Sequence, residues 1–388
     1  MIKSVVIIEP VGGEGGMSFH NHQLSQSIGK LGWKVILCSS NSKAYSSEHY
    51  QSRDFFNDVF GSSPLIIRGI KYFIAIVRIV YLICLEKTSI VHFHFYRIGL
   101  KEAVMVGLVN LLCRNIVITA HDIGSLRNGD DFQYGFKYVY KKASTIISHS
   151  KSSFKALTDL NFSLDRKISL IPLGGYINYL PSPKKDTLKE LIKQNNADVR
   201  IIFFGKLKRI KRVDLAIEAV GILKRKGISS VKLIIAGKPY DISEYEINNA
   251  ILDQGVQDSV TFISRYISDD ELSSLLAWAN ISVLPYDKIF QSGVLLLCMS
   301  NRLPVIVSNI PGMMEIVSDG LNGATFEADN VFDLAQTLEK LLNNSGHLKN
   351  LAINAYDFVE RNHGWDLCGK LTVEAYSRTL KETSEHHR

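Results

Sequence analysis

Short runs of β-branched and aliphatic residues alternate with amphipathic stretches from one end of the chain to the other, the pattern of βαβ units built around parallel sheets. In the first half the predicted strands are 4–8, 34–38, 64–67, 90–95, 116–120, 145–148 and 168–172. Leu24, Ile28 and Leu31 recur at i, i+4 and i+7, which predicts a helix over 18–30 with one apolar stripe. From residue 179 to 196 the text turns polar, with Pro181, Pro183, Lys184 and Lys185, and no deep apolar run. That interval predicts a linker, placed at 176–198. A second series follows, with strands at 199–204, 231–236, 259–263, 281–284 and 304–307, and Leu215, Ala219, Ile222 and Leu223 marking the stripe of its first helix. The tail reads as helices over 348–361 and 365–380, with 384–388 frayed. The expected fold class is α/β: domains at 1–175 and 199–362, each a doubly wound parallel sheet, and a terminal segment at 363–388. Ligands of such sheets bind outside the carboxyl ends of the strands, so the search belongs there and in a cleft between the domains.

Length agrees with two domains, since 388 residues are enough for two buried cores. Charge adds little by itself: 45 Lys and Arg against 38 Asp and Glu leave +7, which suits anionic ligands and falls short of a chain that wraps duplex DNA. No nucleic-acid partner is expected. Five scattered cysteines with no C-x-x-C pair write neither a disulfide framework nor a zinc site, and no metal is expected. The chain reads as cytoplasmic. Residues 2–10 form a first strand and not a signal peptide. The most apolar stretch, 72–85, is fourteen residues interrupted by Arg78, against the ~20 needed to span a bilayer, and reads as a helix packed on its sheet.

Two turns carry candidate chemistry. After the first strand stand Pro10, Val11, Gly12, Gly13, Glu14, Gly15 and Gly16, where glycines permit close backbone approach and the following helix start favours an anion. The alternative is a plain strand-to-helix connection. The G-x-G-x-x-G frame of a nicotinamide site and the Walker A lysine are both missing. After the strand at 199–204 come Gly205, Lys206, Leu207, Lys208, Arg209, Ile210, Lys211 and Arg212, five cations in seven residues before a helix. Cations at a helix N-terminus oppose the helix dipole, and a bound diphosphate would explain them; a solvated basic face is the competing reading.

Gly205, Lys206, Leu207 and Lys211 resemble the G-[RK]-L-x-x-x-K turn of the retaining glycosyltransferases of the GT-B fold, family 4 (glycosyl transferases group 1). Other segments resemble that family in the same order: Gly15, Gly16 and His20 its G-G-x-x-x-H entry, 168–175 the glycine turn closing the first domain, and 233–237 its L-x-I-x-G strand. Leu303, Pro304, Val305, Gly312 and Glu315, then Asn322, Gly323 and Phe326, continue the likeness, which is strongest over 200–345. It implies two Rossmann-like domains facing each other, with the last helix returning to the first domain. It also implies that Lys206 and Lys211 hold the diphosphate of a UDP- or GDP-linked sugar, the donor substrate, with no cofactor. Lys at the first position keeps the charge and loses the guanidinium fork.

The family's paired glutamates are absent, for Ile289 and Leu297 stand at those positions. Gln291, Ser292, Gly293, Val294 and Leu295 form a QSGVL variant whose backbone N–H groups and Ser292 hydroxyl would serve the donor; a helix N-cap made by Ser292 is the alternative. Glu315 matches the family's G-G-x-x-E position as a further donor residue. His121, ending the strand at 116–120, matches a histidine near the reacting sugar and is expected to be catalytic with Lys206 and Lys211. His20, His92 and Asp122 are expected on the acceptor side; His92 and His94 share one side of their strand by period two. The implied reaction transfers a glycosyl group with retention to a hydroxyl of a glycan or lipid-linked glycan, in bacterial surface polysaccharide assembly. The apolar residues of 72–87 with Lys137, Tyr138, Tyr140, Lys141 and Lys142 would suit peripheral contact with the inner face of the cell membrane. Two other readings remain: a nucleotide-sugar epimerase of the same fold, and a non-catalytic nucleotide-sugar-binding module.

Overall fold

The computed structural model describes residues 3–12, 15–40, 45–61, 63–95, 98–121, 133–160, 167–184, 186–187, 199–228 and 230–385. The chain divides into two compact units, Met1–Gly174 with His363–Arg388, and Gly175–Asn362.

The first unit is built on β1 (Ser4–Ile8), β2 (Lys34–Ser39), β3 (Gln51–Asp54), β4 (Ile90–Phe95), β5 (Ile116–Ala120), β6 (Thr145–Ser148) and β7 (Ile168–Leu170). They lie in the order β3-β2-β1-β4-β5-β6-β7, all parallel. Every residue of β1, β4, β5 and β6 is buried, because helices cover both faces of a parallel sheet and leave no polar side. The covering helices are α1 (Gly16–Lys30), α2 (Leu65–Glu86), α3 (Leu100–Leu112), α4 (Gln133–Lys142) and α5 (Lys151–Thr158). Residues 64–67, predicted as a strand, instead begin α2 after Pro64. Proline suits a helix entrance, and four apolar residues in a row do not distinguish strand from helix. The half-exposed edge strand β3 has no apolar run and was not legible.

The second unit orders its strands β10-β9-β8-β11-β12-β13: β8 (Val199–Phe204), β9 (Val231–Ala236), β10 (Val260–Ile263), β11 (Ile281–Leu284), β12 (Val305–Ser308) and β13 (Ala324–Phe326). Its helices are α6 (Val213–Arg225), α7 (Glu244–Asp253), α8 (Asp269–Trp278), α9 (Gly293–Ser300), α10 (Pro311–Met314), α11 (Val331–Leu342) and α12 (Ser345–Asn362). Residues 176–184, expected as linker, are bonded to this unit. Tyr176 N donates to Ser300 Oγ at 2.9 Å, and Tyr179 Oη to Asp269 at 2.8 Å.

The last helix, α13 (Trp365–Glu385), belongs to the first unit. Gly369 brings it close against Ser27 of α1, Tyr376 packs on Trp33 at 5.2 Å, and Thr379 Oγ1 meets Thr145 Oγ1 at 2.7 Å. Its buried stripe, Cys368, Thr372, Ala375, Tyr376 and Thr379, completes the core around Val5, Ile7 and Leu37.

Candidate functional site

Both sheets reverse direction at their first strand, so each has a switch point: between β1 and β4 in the first unit, between β8 and β11 in the second. In open parallel sheets such a point, where the loops leaving two neighbouring strands part at the carboxyl edge, is where ligands bind. Most of the described residues singled out from sequence lie on the turns and helix starts near these two points.

In the second unit β8 ends in Gly205, whose φ is +104°. Gly237 follows β9, and a Cβ there would stand 1.9 Å from the Gly205 carbonyl oxygen, so the two turns approach as only glycine allows. The chain then makes one 3-10 turn at Arg209–Lys211 and enters α6. Two of the five cations are neutralised within the unit. Arg212 pairs with Asp214, Asp287 and Asp329, and Arg209 with Glu246. The expectation of five cations awaiting an anion is therefore corrected to three. Among the described residues no carboxylate lies within ion-pair distance of Lys206, Lys208 or Lys211. Lys206 and Lys208 flank the ring of Tyr240, 5.1 and 5.3 Å from its centroid. Lys211 is half-buried, its ammonium turned inward to 5.4 Å from the Tyr286 ring and close beside Gly205. Burial of that ammonium, with Lys208 and Lys206 nearby, lowers its pKa to about 8.

The loop after β11 leads to α9. Ser292 is its N-cap, the Oγ accepting from Leu295 N at 3.1 Å, which is the structural role weighed for it from sequence. Gly293 lies against Tyr176, and Val294 against the Gly205 turn. The start of α9 thus meets the basic turn at the switch point. Leu297 is buried in α9 and Ile289 is half-buried, so neither paired-glutamate position offers an acceptor. Gly312 packs on the Ile289 carbonyl, and Glu315 ends α10, half-buried.

In the first unit the glycine turn departs from the phosphate-cradle expectation. Glu9, buried at the end of β1, accepts from Val11 N at 2.9 Å, Gly12 N at 2.6 Å and Asn21 Nδ2 at 3.0 Å. An internal carboxyl already occupies those donors; burial raises its pKa while the three hydrogen bonds oppose the rise. Gly15 caps α1 and Gly16 opens it, while Gly13, Glu14 and Asp122 lie outside the described residues.

Around the switch point stand five histidines. His92 has both nitrogens engaged, with Tyr376 Oη at 2.6 Å and Thr119 Oγ1 at 2.7 Å, so it fastens α13 to the sheet and has no nitrogen left for an acceptor molecule. His94 Nδ1 and His121 Nε2 are 3.1 Å apart. His20, on the buried side of α1, stacks edge-on to both and to Trp365, and neither of its ring nitrogens has a hydrogen-bond partner among the described residues. His149 Nδ1 donates to Ile171 O at 2.9 Å. Burial pushes all five pKa values down, to about 3 for His92 and about 4 for His149, so the cluster is neutral at physiological pH. One donor nitrogen from each of His20, His94 and His121 lies within 4.8 Å of the others, the one set among the described residues that a divalent ion could use. His94, His149, Lys208 and Tyr240 were missed as site residues. The H-x-H repeat pointed to His94, whereas Tyr240 arrives from a loop with no pattern of its own.

Two family models match the chain: Glycosyltransferase Family 4 over residues 14–174, and Glycosyl transferases group 1 over residues 184–358. Among relatives, the uncharacterized glycosyltransferase MJ1607 of Methanocaldococcus jannaschii is 28% identical over 61% of this chain, and the match spans only 60% of that protein. MJ1178 of the same organism is 26% identical over 91% of this chain and 92% of its own. The capsular polysaccharide biosynthesis glycosyltransferase CapM of Staphylococcus aureus is 22% identical over 94% and 98%. In fold, the chain is similar to sucrose-phosphate synthase from Thermosynechococcus elongatus (TM-score 0.74, 16% identity, 98% of this chain and 100% of that one). It is also similar to Anabaena Alr3699/HepE in complex with UDP and glucose (TM-score 0.74, 17% identity, 97% and 100%).

Proposed function

The chain belongs to the glycosyltransferases of family 4 and group 1, with the GT-B architecture of two parallel-sheet units, and from that premise we propose that it moves a glycosyl group from a UDP- or GDP-linked sugar to a hydroxyl of a glycan or lipid-linked glycan. The observation that carries the reading is the trio Lys206, Lys208 and Lys211, without carboxylate partners among the described residues, at the β8/β11 switch point. An inward-turned ammonium without a counter-ion is costly in the empty protein, and a diphosphate removes that cost. The CapM relative supports a role in surface polysaccharide assembly.

The reaction runs with retention as a front-face substitution. The bond from the anomeric carbon to the diphosphate oxygen breaks and the bond to the acceptor oxygen forms on the same face. The acceptor proton passes to the departing diphosphate. Lys206 and Lys211 stabilise the charge that develops on that leaving group, so no metal is required. Within the second unit Gly205, Gln291 and the α9 start at Ser292, Gly293 and Val294 serve the donor in this reading, with Glu315 a further donor residue. Neutral His121, bonded to His94, contacts a sugar hydroxyl, and His20 faces the acceptor. No helix among the described residues is long and apolar enough to cross a membrane, and contact with the inner face is peripheral in this reading.

Incubation of the full chain with UDP- and GDP-sugars and a cell-envelope lipid extract tests the proposal. Release of nucleoside diphosphate, lost in the Lys206→Ala, Lys211→Ala double variant, is the expected result. Saturable donor binding with no turnover would favour the binding module, which Ile289 and Leu297 at the paired-glutamate positions make a definite second reading; interconversion of donor sugars would favour an epimerase.

A further inference from the structure

Helix α2 is apolar on two opposite sides. Tyr72, Ala75, Ile76, Ile79, Leu82 and Ile83 face the protein. On the opposite side Ile66, Ile70, Phe73, Val77, Tyr81 and Leu85 are all more than half exposed, Ile66 at 79% and Tyr81 at 68%. Sequence reading placed residues 72–85 as a helix packed on its sheet; only one side of it is. The neighbouring α3 continues the apolar surface, with Leu100 and Leu111 about four-fifths exposed and Val104 and Leu108 partly so. A surface helix ordinarily turns a polar side to water, and exposed apolar faces of this extent mark an interaction surface.

Charge selects the occupant. Helices α2, α3 and α4 carry seven cations (Arg68, Lys71, Arg78, Lys101, Lys137, Lys141, Lys142) and two acids, Glu86 and Glu102. Both acids are committed: Glu86 pairs with Lys34, and buried Glu102 accepts from Gly99 N. Lys101 also pairs with Glu102 and Lys71 with Asp58, and the charged residues exposed on these helices, at positions 78, 101, 137, 141 and 142, are all Lys or Arg. A two-fold dimer through this face would set the same cations against themselves, since such an interface pairs each patch with its own copy. A transmembrane placement would bury Arg68, Lys71 and Arg78. What fits is a flat anionic surface with an apolar layer beneath it.

We propose that α2 and α3 lie in the plane of an anionic bilayer, their apolar side chains ~5–10 Å into the boundary between headgroups and acyl chains, with the lysines of α4 among the headgroups. The placement gives the lipid-linked acceptor of the preceding reading a reason to be near. Its test measures binding alone, so the two readings fail separately.

The experiment is flotation of the full chain with vesicles of phosphatidylcholine alone, or with roughly one-third phosphatidylglycerol, at about 0.1 M salt. Wild type rises with the anionic vesicles and not with the neutral ones. Lys137→Glu, Lys141→Glu, Lys142→Glu weakens partition on the order of 100-fold or more. Ile70→Ser, Phe73→Ser, Val77→Ser abolishes flotation while its thermal unfolding, checked in parallel, stays within a few degrees of wild type because the three side chains are exposed. Wild type that stays in the soluble fraction as a monomer overturns the proposal. So does a dimer in solution that Phe73→Ser dissociates, which would make the face a contact between copies of this chain.

Discussion

If Lys211 holds the donor diphosphate, nucleotide affinity must follow the proton on that one ammonium. Its folded pKa of about 8 lies well below the ordinary 10.5, burial being the main cause and the neighbouring Lys208 and Lys206 the second. Only the protonated form attracts a dianion. Below about pH 7 the group is charged in free and bound protein alike, and affinity is level. Above about 8 each pH unit requires uptake of a proton on binding, at about 1.4 kcal/mol, so affinity at pH 9.5 should be about 30-fold weaker than at pH 7, or ~2 kcal/mol. Stability has the opposite sign. A lowered lysine pKa means that the unfolded chain binds more protons between about 8 and 10.5, so the empty protein gains stability as pH rises through that window while its affinity falls. Lys211→Met keeps the length and removes the charge. At pH 7 it should lose a charge-assisted contact of ~1.5–3 kcal/mol, and its affinity should no longer change between pH 7 and 9.5. Calorimetric titration of UDP and GDP into both proteins is the assay. A level wild-type curve, or the same decline in Lys211→Met, would refute the assignment.

Three further outcomes follow from the same geometry. His92 and His149 stay neutral in the folded chain down to about pH 3 and 4, whereas they protonate near 6.5 when unfolded, so stability is complete above about 6.5 and is lost as pH falls. At pH 5 the two together should cost the first unit ~4 kcal/mol, and thermal melts that do not shift between pH 7.5 and 5 would count against a buried neutral cluster. Gly237→Ala forces a Cβ to 1.9 Å from Gly205 O, and should deplete folded protein or, where it folds, abolish nucleotide binding; near wild-type melting and affinity would show that the turn relaxes. Thorough chelation of divalent ions should leave transfer unaffected, and an activity lost on chelation and restored by zinc would instead assign His20, His94 and His121 as ligands.

The alternation of apolar runs determined the two parallel sheets, and turn chemistry located Gly205, Lys206 and Lys211, because a strand, its glycine and its cations lie within one continuous stretch, residues 199–212, and act through local geometry. What sequence could not settle depended on distant partners. Arg212 looks like any other cation of the basic turn until Asp287 and Asp329, far along the chain, are seen to neutralise it. His92 looks like a cleft residue until α13 returns and Tyr376 takes its nitrogen. The glycine turn looks ready for phosphate until Glu9 folds back onto it. The apolar residues of α2 look like core because composition says how much surface is apolar and not which side the sheet covers. Local pattern thus determined the elements and their order. Which charges remain free, and which apolar surface remains bare, was decided by the tertiary structure, since burial and charge compensation belong to pairs of groups that only folding brings together.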